Sequence, residues 1–411
     1  MSKRKVNNDY LVGVDIGTSK IICVVGEMQE SGELNILGVG EHASTGLKRG
    51  IVVNIEATVE SIKKAVEKAE EASQFPIKSV YAGIAGSHIK SFNSHGIVAI
   101  SASEVGVVDV DRVIDAAKAV AIPADQKILH ILPQEFTIDH QDGIKEPVGM
   151  SGVRLEAKVH IVTGSVSSAQ NIEKCIRQCG LIPVDIILEQ LASSYAVLND
   201  DEKELGVCLI DIGAGTTDVA IFTGGAIRHT AVIPVAGDQV TNDIAIAFRT
   251  PTRNAEKMKL EHANCFIPCA SENQGVEISS FAGRPAKQVS EVALARIVQP
   301  RYEELFILVR NEIRRMGFEE LIPSGIVLTG GASQVKGAVE LAEHVFDMPV
   351  RTGAPANVTG NEQITGNPHF STAIGLLLYA HKQGAEGNVV RSSASEGSVF
   401  KKIKHWFQGN M

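Results

Sequence analysis

The chain opens with three apolar runs separated by short turns. "YLVGVDIG" is followed by "KIICVVGEM" and then by "LNILGVGEHAS". Each run has the length and composition of a buried strand, and the turns between them contain glycine. The pattern therefore predicts an antiparallel three-stranded meander at the start of the fold.

The period of the apolar positions then changes to that of a helix. In "NIEATVESIKKAVEKAEEASQF", apolar side chains recur at Val59, Ile62, Val66 and Ala69, which is the spacing of one helix face. "KSVYAGIAG" next predicts a buried strand. From about Ser87 to Val162 mixed strands surround one helical stretch, "DVDRVIDAAKAVA", and this region is interpreted as a small α+β insertion.

The second half of the chain repeats the first pattern. "LVGVDIGTSKIICVVG" and "GVCLIDIGAGTTDVAIFTG" each contain an apolar strand that ends in Asp-Ile-Gly, a turn of small residues and a second apolar strand. The two aspartates, Asp15 and Asp211, lie nearly half the chain apart. Two copies at such a distance predict a doubled domain rather than a solenoid.

Composition narrows the function classes. The chain has 411 residues, of which 44% are hydrophobic and 21% charged, and a formal net charge of −9. An acidic protein is a poor general binder of nucleic acid, because phosphate contacts need basic groups. No apolar run approaches the roughly 20 residues that span a bilayer. The basic N-terminus lacks a secretory pattern, since Asp15 interrupts its apolar run, and a cytoplasmic protein is expected.

The six cysteines do not have the spacing of a zinc site, because no C-x-x-C pair occurs among them. Reduced and mostly buried thiols are the prediction for a cytosolic protein.

The repeated Asp-Ile-Gly turns have the residue types of a phosphate site. Glycines allow a tight turn that brings the backbone close to a ligand. Consecutive N–H groups and Thr hydroxyls then bind an anion, and Asp211 and Asp218 are placed to hold Mg²⁺ through water. A single turn of this kind is more often an ordinary hairpin, but two matched copies favour the phosphate interpretation. The predicted residues are Asp15, Gly17, Thr18, Ser19 and Lys20 in the first loop and Asp211, Gly213, Ala214, Gly215, Thr216, Thr217 and Asp218 in the second.

Two further stretches are candidates for the nucleoside end of a ligand. In "GIVLTGGASQVKG", Gly330 and Gly331 leave room for a flat ligand against the backbone, although a plain strand-to-helix turn is the alternative. In "RTPTRNAEKMKL", Glu256 and Lys259 lie at i, i+3 on one helix face, from which both could reach a ribose. Such a pair is more often a solvated ion pair.

The C-terminal residues contrast with the acidic chain. "VFKKIKHWF" contains three lysines, the only tryptophan and no acid, and it follows the polar stretch "GNVVRSSASEGS", which predicts a flexible linker. On a helix of about 100° per residue, its apolar and basic side chains separate onto two faces. Such a helix suits an anionic membrane interface, and docking on its own domain is the alternative. The apolar face holds Val399, Phe400, Ile403, Trp406 and Phe407, and the basic face holds Lys401, Lys402, Lys404 and His405.

Together these motifs resemble the actin superfamily and, more closely, the FtsA family of bacterial cell-division actins. The similarity runs essentially end to end. It includes "VGVDIGTSKI", "LEQLASSYAVLNDDEKELGVCLIDIGAGTTDVAIF", "GDQVTNDIAIAF", "GRPAKQVSEVALARIVQPRYEELF" and "GIVLTGGASQVKG". The resemblance implies an α/β, actin-like duplicated ATPase fold with two halves around a nucleotide cleft and a displaced small α+β subdomain.

The resemblance also implies a division of the chain into subdomains, a linker and a membrane helix. The implied segments are 1–86 with 163–197 (subdomain 1A), 87–162 (1C), 198–228 with 305–385 (2A), 229–304 (2B), 386–397 (flexible linker) and 398–411 (amphipathic membrane-targeting helix).

The implied ligands are ATP and Mg²⁺, with the metal held through water by Asp15 and Asp211. Glu189 opens the connecting helix, where superfamily members carry a residue that orients water near the terminal phosphate. A helix N-terminal Glu stabilised by the dipole is the alternative, and hydrolysis is expected to be slow at most. The nucleoside pocket implied by the resemblance consists of Gly237, Asp238, Glu256, Lys259, Gly330, Gly331, Ala332 and Ser333.

The implied partners are the C-terminal tail of the tubulin-like division protein FtsZ, further copies of the chain in filaments, an anionic membrane and later division proteins. The implied location is the cytoplasmic face of the inner membrane at the division septum. An actin-like scaffold of pilus assembly and a sugar-kinase-type phosphotransferase are the alternatives. The kinase lacks a convincing catalytic base, and neither alternative accounts for the tail.

The FtsZ tail is expected on "GRPAKQVSEVALARIVQPR". This stretch has a local excess of positive charge and spaced apolar positions, which suit an acidic peptide with apolar anchors. Arg301 follows Pro300 and is expected at a helix start. The alternative is that the apolar positions only fill the core. The candidate contact residues are Arg284, Lys287, Arg296 and Arg301.

Overall fold

The N-terminal meander forms as the apolar pattern predicts. The computed structural model describes residues 10–273, 275–278 and 287–385. Helix formation after the meander is explained by a cap, because the Asn54 side chain accepts a hydrogen bond from the N–H of Ala57. The first elements are β1 (Tyr10–Ile16), β2 (Lys20–Met28), β3 (Leu34–Ala43), β4 (Leu47–Lys48), β5 (Ile51–Val52), α1 (Ile55–Ser73) and β6 (Ser79–Ile84).

The predicted insertion is a four-stranded sheet with one helix on its face. A Cβ atom at Gly96 would lie 2.2 Å from the carbonyl oxygen of Val113, so this glycine lets the helix lie directly on the sheet. The sheet has the order β7-β10-β8-β9. Its elements are β7 (Lys90–Ala99), α2 (Val107–Lys118), β8 (Gln126–Ile138), β9 (Gln141–Ile144) and β10 (Arg154–Ser165).

The chain then completes the first half and enters the second. The connecting helix α4 begins at Glu189, directly after a strand whose last three residues are buried. The elements are α3 (Val166–Gln178), β11 (Ile182–Leu188), α4 (Glu189–Val197), α5 (Asp200–Leu205), β12 (Val207–Ile212), β13 (Thr217–Thr223) and β14 (Ala226–Ile233).

The remainder of the chain that the structure describes is mainly helical. It also contains short 3₁₀ turns at Ile267–Cys269, Glu319–Leu321, Gly331–Gln334 and Pro368–Phe370. The elements are α6 (Gly237–Phe248), α7 (Thr252–His262), β15 (Gly275–Ile278), β16 (Lys287–Ser290), α8 (Glu291–Arg315), β17 (Ile326–Thr329), α9 (Ala338–Phe346), β18 (Val350–Thr352), β19 (Val358–Thr359), α10 (Glu362–Thr365) and α11 (Ser371–Ala385).

The two large sheets confirm the duplication. In the first, β1, β2 and β3 form the meander, and β6 and β11 continue from β1 in parallel. In the second, β12, β13 and β14 form the meander, and β17 and β18 continue from β12 in parallel. Each Asp-Ile-Gly turn therefore joins the first two strands of its meander, and the two turns are equivalent.

Buried apolar side chains from both sheets join the halves. Ile22 and Val24 of the first half belong to one cluster with Leu209 and Phe222 of the second. Ile374 of α11 belongs to the same cluster. The continuity of this core holds the base of the cleft in place, since its burial contributes roughly 25 cal/mol per Å² of apolar surface.

The predicted boundary of the second half is wrong at its C-terminal end. Residues 305–385 were assigned to subdomain 2A, but β19 pairs with β3 of the first sheet and α11 packs on α4 and β1. The chain thus returns to the first half at about Val358. The pairing is long-range, and two residues of strand carry no sequence signal for it.

The predicted helix start at Arg301 is also wrong. Helix α8 begins at Glu291, where the Ser290 side chain accepts from the N–H of Ala293, and it continues through Pro300. A proline inside a helix costs about 3 kcal/mol, whereas each fully buried large apolar side chain contributes about 1.5–3 kcal/mol. The helix buries Leu294, Val298, Tyr302, Leu305, Phe306, Val309 and Ile313.

Among the helices of the described ranges, none combines the length and apolarity needed to cross a membrane. The linker and the C-terminal segment predicted at residues 386–411 lie outside the described residues.

Candidate functional site

A cavity of about 780 Å³ opens between the two halves at the ends of the meanders. Most of the predicted site residues line it, although they come from six separate stretches of sequence. Those that do are Asp15, Gly17, Thr18, Ser19, Lys20, Glu189, Asp211, Gly213, Ala214, Gly215, Thr216, Asp218, Gly237, Glu256, Lys259, Gly330, Gly331 and Ala332.

The two Asp-Ile-Gly loops approach each other closely at the cavity. A Cβ atom at Gly215 would lie 2.5 Å from the Oγ1 atom of Thr18, so a larger residue would push the loops apart. Gly330 has a φ of +85°, and a Cβ there would lie 2.3 Å from Oδ1 of Asp211. Glycine is therefore required by space at Gly215, and by both space and conformation at Gly330.

The N-terminus of α6 holds the second Asp-Ile-Gly loop in place through backbone hydrogen bonds. The N–H groups of Gly237 and Asp238 donate to the carbonyl oxygens of Gly213 and Ala214, at 3.1 and 2.8 Å. Within the loop, the N–H of Gly213 donates to the carbonyl of Thr216 at 3.0 Å. The loop backbone is therefore rigid before any ligand binds.

Four carboxyl groups lie where the loops meet, with Asp211 and Asp218 buried and Asp15 and Glu189 partly buried. Burial, followed by the charge of Asp211, raises the pKa of Asp15 to about 7. Burial, followed by the charges of Asp211 and Asp15, raises the pKa of Asp218 to about 8. Burial also raises the pKa of Asp211, and burial with the neighbouring Asp residues raises the pKa of Glu189 well above its ordinary value. Each half contributes two of these groups, and they repel one another both within a half and across the cleft.

The cluster suits a hydrated divalent cation. The Oδ1 atoms of Asp15 and Asp218 are buried and accept no hydrogen bond from the described residues. Carboxylate oxygens are the donors that Mg²⁺ prefers, and this ion keeps several of its waters. Within the described ranges no three His, Cys, Asp or Glu side chains lie close enough to ligate a metal directly. The residues present therefore fit Mg²⁺ held through water and by a ligand's phosphates.

Glu189 owes its position to a glycine on the neighbouring strand. A Cβ at Gly83 of β6 would lie 3.0 Å from Cγ of Glu189, so the absence of a side chain there leaves room for the carboxyl. Glu189 lines the cavity at the first turn of α4.

The Glu256–Lys259 pair lines the cavity beside Gly237. Its charged atoms are 2.7 Å apart, and Lys259 Nζ also donates to the carbonyl of Gly237 at 3.1 Å and to Thr241 Oγ1 at 2.9 Å. Glu256 in turn accepts a hydrogen bond from the Thr241 hydroxyl. All three protons of the ammonium group are thus engaged within the protein, and of the two side chains Glu256 is the better placed to contact a ribose.

Three predicted site residues do not line the cavity. The Thr217 hydroxyl donates to the carbonyl of Val235 at 2.8 Å, because Thr217 already belongs to β13. The Ser333 hydroxyl donates to the carbonyl of Gly330 at 2.7 Å and stabilises the 3₁₀ turn. Asp238 contributes its backbone N–H to the second loop, as described above.

Sequence reasoning missed a group of residues at the cavity rim. Glu41 of β3 forms ion pairs with Lys20 at 2.9 Å and with His369 at 3.3 Å. The hydrogen bond from His369, followed by that from Lys20, lowers the pKa of Glu41 to about 2. Asn361, Gln363 and Thr372 also line the cavity. No local motif marks these residues, since the return of the chain at β19 is what brings them to the site.

The candidate partner residues are only partly described. Arg296 is exposed on α8. Arg301 pairs with Asp243 at 2.7 Å and with Glu304, so part of its charge is already compensated. Arg284 and the side chain of Lys287 lie outside the described residues.

Comparison with known proteins identifies the family. A family model described as "Cell division protein FtsA" matches residues 208–375, and one described as "SHS2 domain inserted in FTSA" matches residues 86–163. The cell division protein FtsA of Pseudomonas aeruginosa is 56% identical over 407 residues, which cover 97% of this chain and 98% of that protein. The chain belongs to the FtsA family. FtsA of Escherichia coli strain K12 is 44% identical, over 98% of this chain and 99% of that protein.

Solved structures outside the family share the fold. The PilM–PilN type IV pilus biogenesis complex has a TM-score of 0.65 at 17% identity and covers 90% of this chain and 98% of that chain. MreB5 of Spiroplasma citri bound to ADP has a TM-score of 0.52 at 13% identity, over 89% and 95% of the two chains. The MamK double helical filament has 0.51 at 14% identity, over 90% and 98%. The fold is therefore the actin-like ATPase fold, and its inserted SHS2 domain lies where the insertion of residues 87–162 was predicted.

The buried carboxyl groups predict an unusual pH dependence of stability in the absence of metal and nucleotide. Unfolded Asp ionises near 3.8, whereas Asp15 and Asp218 keep their protons to about 7 and about 8 when folded. Between these limits the folded state binds more protons, so the free energy of unfolding falls as the pH rises. We expect Asp218→Asn to reduce this fall, as measured by urea unfolding in EDTA from pH 5 to 8.5.

The exposed Glu320→Gln is the control for this measurement, because its carboxyl lies away from the cavity. An unchanged pH dependence in Asp218→Asn would show that the cluster does not hold protons in the folded state.

Proposed function

We propose that this FtsA-family protein binds ATP with Mg²⁺ in the cavity between its halves and uses the bound state to link FtsZ to the membrane. The observation that carries the nucleotide part is the pair of equivalent Asp-Ile-Gly loops that meet at one cavity beside four clustered carboxyl groups. Relatives that match the chain end to end are cell division proteins. Pilus-scaffold and sugar-kinase functions have no comparable support.

In this proposal the two loops hold the phosphates by complementary means. The rigid second loop presents backbone N–H groups, and Thr18 of the first loop lies against Gly215 of the second. Bound Mg²⁺ would supply positive charge between the phosphates and the carboxylates. Asp15 and Asp211 would orient its water ligands, one from each half, so that the bound metal and nucleotide bridge the cleft.

At the nucleoside end, Glu256 would accept a hydrogen bond from the ribose. The backbone at Gly330 and Gly331 would support the base, because neither glycine has a side chain in the way. ATP hydrolysis is secondary in this proposal. Glu189 is the residue that would orient water, and the bound nucleotide acts mainly as a clamp that sets the position of one half against the other.

The proposed tether is the C-terminal segment with its apolar face at Val399, Phe400, Ile403, Trp406 and Phe407. Its lysines would each contribute about 1 kcal/mol at an anionic surface, and the apolar side chains would enter the interface. The proposed location is therefore the cytoplasmic face of the inner membrane at the division septum, with later division proteins as further partners.

Self-assembly into filaments is the remaining part of the proposal. The actin-like fold supports it, because heterologous contacts between such halves propagate when they do not close into a ring. One structure of the same fold is a double helical filament. Electron microscopy on lipid monolayers, with and without ATP, tests this part.

Nucleotide binding is tested at both ends of the cavity. We expect Asp211→Ala and Gly331→Val to weaken Mg²⁺-dependent ATP binding about tenfold or more, which is roughly 1.4 kcal/mol. The first removes a carboxylate that orients Mg²⁺, and the second places a branched side chain against the base. Titration calorimetry with and without EDTA measures both effects. The control is Asp200→Ala, whose side chain is fully exposed. Normal affinity in both cavity variants would remove these loops from the site.

Membrane attachment is tested by removing the tail. We expect deletion of residues 399–411 to leave a folded protein that binds ATP but no longer sediments with anionic vesicles. Trp406→Glu should have most of the same effect, because it places a charge on the apolar face, whereas Trp406→Leu should retain binding. Sedimentation of the truncated protein with the vesicles would place the attachment elsewhere.

FtsZ binding is tested on α8. We expect Arg296→Glu and Arg301→Glu to weaken binding of the FtsZ tail peptide about tenfold or more, measured by fluorescence anisotropy, with ATP binding intact. Asp243→Asn is the matched control, since it breaks the ion pair of Arg301 without reversing a charge at the surface. Unchanged peptide affinity in both arginine variants would move the partner site to another face.

A further inference from the structure

The hairpin of β4 and β5 lies where the two Asp-Ile-Gly loops meet. The N–H of Gly50, at its tip, donates to Oγ1 of Thr18 in the first loop at 3.0 Å. A Cβ at Gly215 of the second loop would lie 3.0 Å from Cα of Arg49, the other residue of the tip. The hairpin tip is therefore a third backbone element in contact with both loops.

The turn between β4 and β5 has a backbone conformation that does not favour arginine. β4 and β5 pair antiparallel through Leu47 and Val52 and through Lys48 and Ile51, which leaves Arg49 and Gly50 as a two-residue connection. Both have positive φ, 50° and 74°, as in a type I′ turn. Asn, Asp and Gly are the residues that such a turn favours, and an arginine with positive φ is strained. Strain of this kind is found where a side chain has a function.

Acidic side chains outnumber basic ones around the cavity. Six carboxyl groups and two lysines line the cavity. Both lysines are already paired, Lys20 with Glu41 at 2.9 Å and Lys259 with Glu256 at 2.7 Å. The side chain of Arg49 is exposed and forms no hydrogen bond or ion pair with any residue in the described part of the chain. A nucleoside triphosphate carries more negative charge than one Mg²⁺ compensates, so a free cation beside the loops would stabilise it.

We propose that Arg49 is a phosphate-contacting residue whose guanidinium binds the terminal phosphate of a nucleoside triphosphate. The inference rests on the proposed ATP binding and deepens it. Gly50, Ala85 and Glu189 line the same cavity as the nucleoside-end residues Glu256 and Lys259. Because the hairpin contacts the phosphate loops at Thr18 and Gly215, the backbone of Arg49 lies beside these loops, and its neighbour Gly50 lines the cavity. An arginine grips phosphate oxygens with two N–H groups.

Gly50 has a positioning role in the same arrangement. Its N–H occupies a lone pair of the Thr18 hydroxyl oxygen, and a hydroxyl has one proton to donate in addition to accepting. The Thr18 proton is thereby left for a phosphate oxygen. The single turn thus supplies a cation and orients a hydroxyl of the first loop.

Arg49→Asn provides a test that separates charge from turn geometry. Asparagine is favoured at positive φ, so the melting temperature without nucleotide should stay the same or rise. We expect ATP affinity to fall about tenfold or more and ADP affinity to change less than about threefold, because ADP lacks the contacted phosphate. Arg49→Lys should restore part of the ATP affinity. Lys48→Gln, which removes the adjacent exposed charge, is the control and should bind both nucleotides normally.

Calorimetric titration of the full chain with Mg·ATP and Mg·ADP decides the matter. An unchanged ratio of ATP to ADP affinity in Arg49→Asn overturns the inference, whether both affinities are normal or both are reduced. The absence of nucleotide binding by the unchanged chain overturns the proposed function, and with it this inference. Normal ATP binding by the unchanged chain together with normal binding by Arg49→Asn overturns only the role of Arg49.

Discussion

The clustering of four buried or partly buried carboxyl groups at the junction of the halves is the constraint on which the rest of the structure depends. Asp15 and Glu189 belong to the first half, and Asp211 and Asp218 to the second. Ionised carboxylates at such a place repel each other strongly in a low dielectric. This repulsion between the halves is relieved when the groups hold protons or share a cation, while the apolar core joins the halves at the base of the cleft. Closure of the cleft is thus linked to the occupancy of the site, even though no part of the apolar core needs to change.

Three glycines make the close approach of the carboxyl groups possible. Gly215 lets the second loop contact Thr18, and Gly330 lets the turn that follows β17 approach Asp211. Gly83 leaves space for Glu189. In each case the nearest atom would be closer than 3.1 Å to an added Cβ. The carboxyl groups are therefore brought together by backbone contacts, which are far less adaptable than contacts between long side chains.

The parts of the fold and site that could be predicted are those encoded locally. The duplication is readable because each copy keeps its strand, turn and strand within a few consecutive residues, and the glycines and aspartates of the loops line the cavity as expected. The directions of the hydroxyl groups could not be predicted. The hydroxyls of Thr217 and Ser333 donate to backbone carbonyl oxygens of the protein instead of facing the cavity, and the sequence does not show this. The rim residues Glu41 and His369 were missed because they depend on β19 joining the first sheet. The start of α8 was wrongly predicted at Arg301, directly after Pro300, because the sequence does not show how much apolar surface the helix buries on both sides of this proline.

The last described helix gives the molecule a mechanical property. α11 follows a segment that has crossed back from the second half, and it packs on α4 and β1 of the first half. A load applied beyond residue 385 is therefore borne as shear along α11 and is passed to α4. Since α4 begins at Glu189 and β1 ends beside Asp15, the line of force runs to the floor of the cleft. Tension on the C-terminal end of the chain would thus reach the cleft through packed helices and strands.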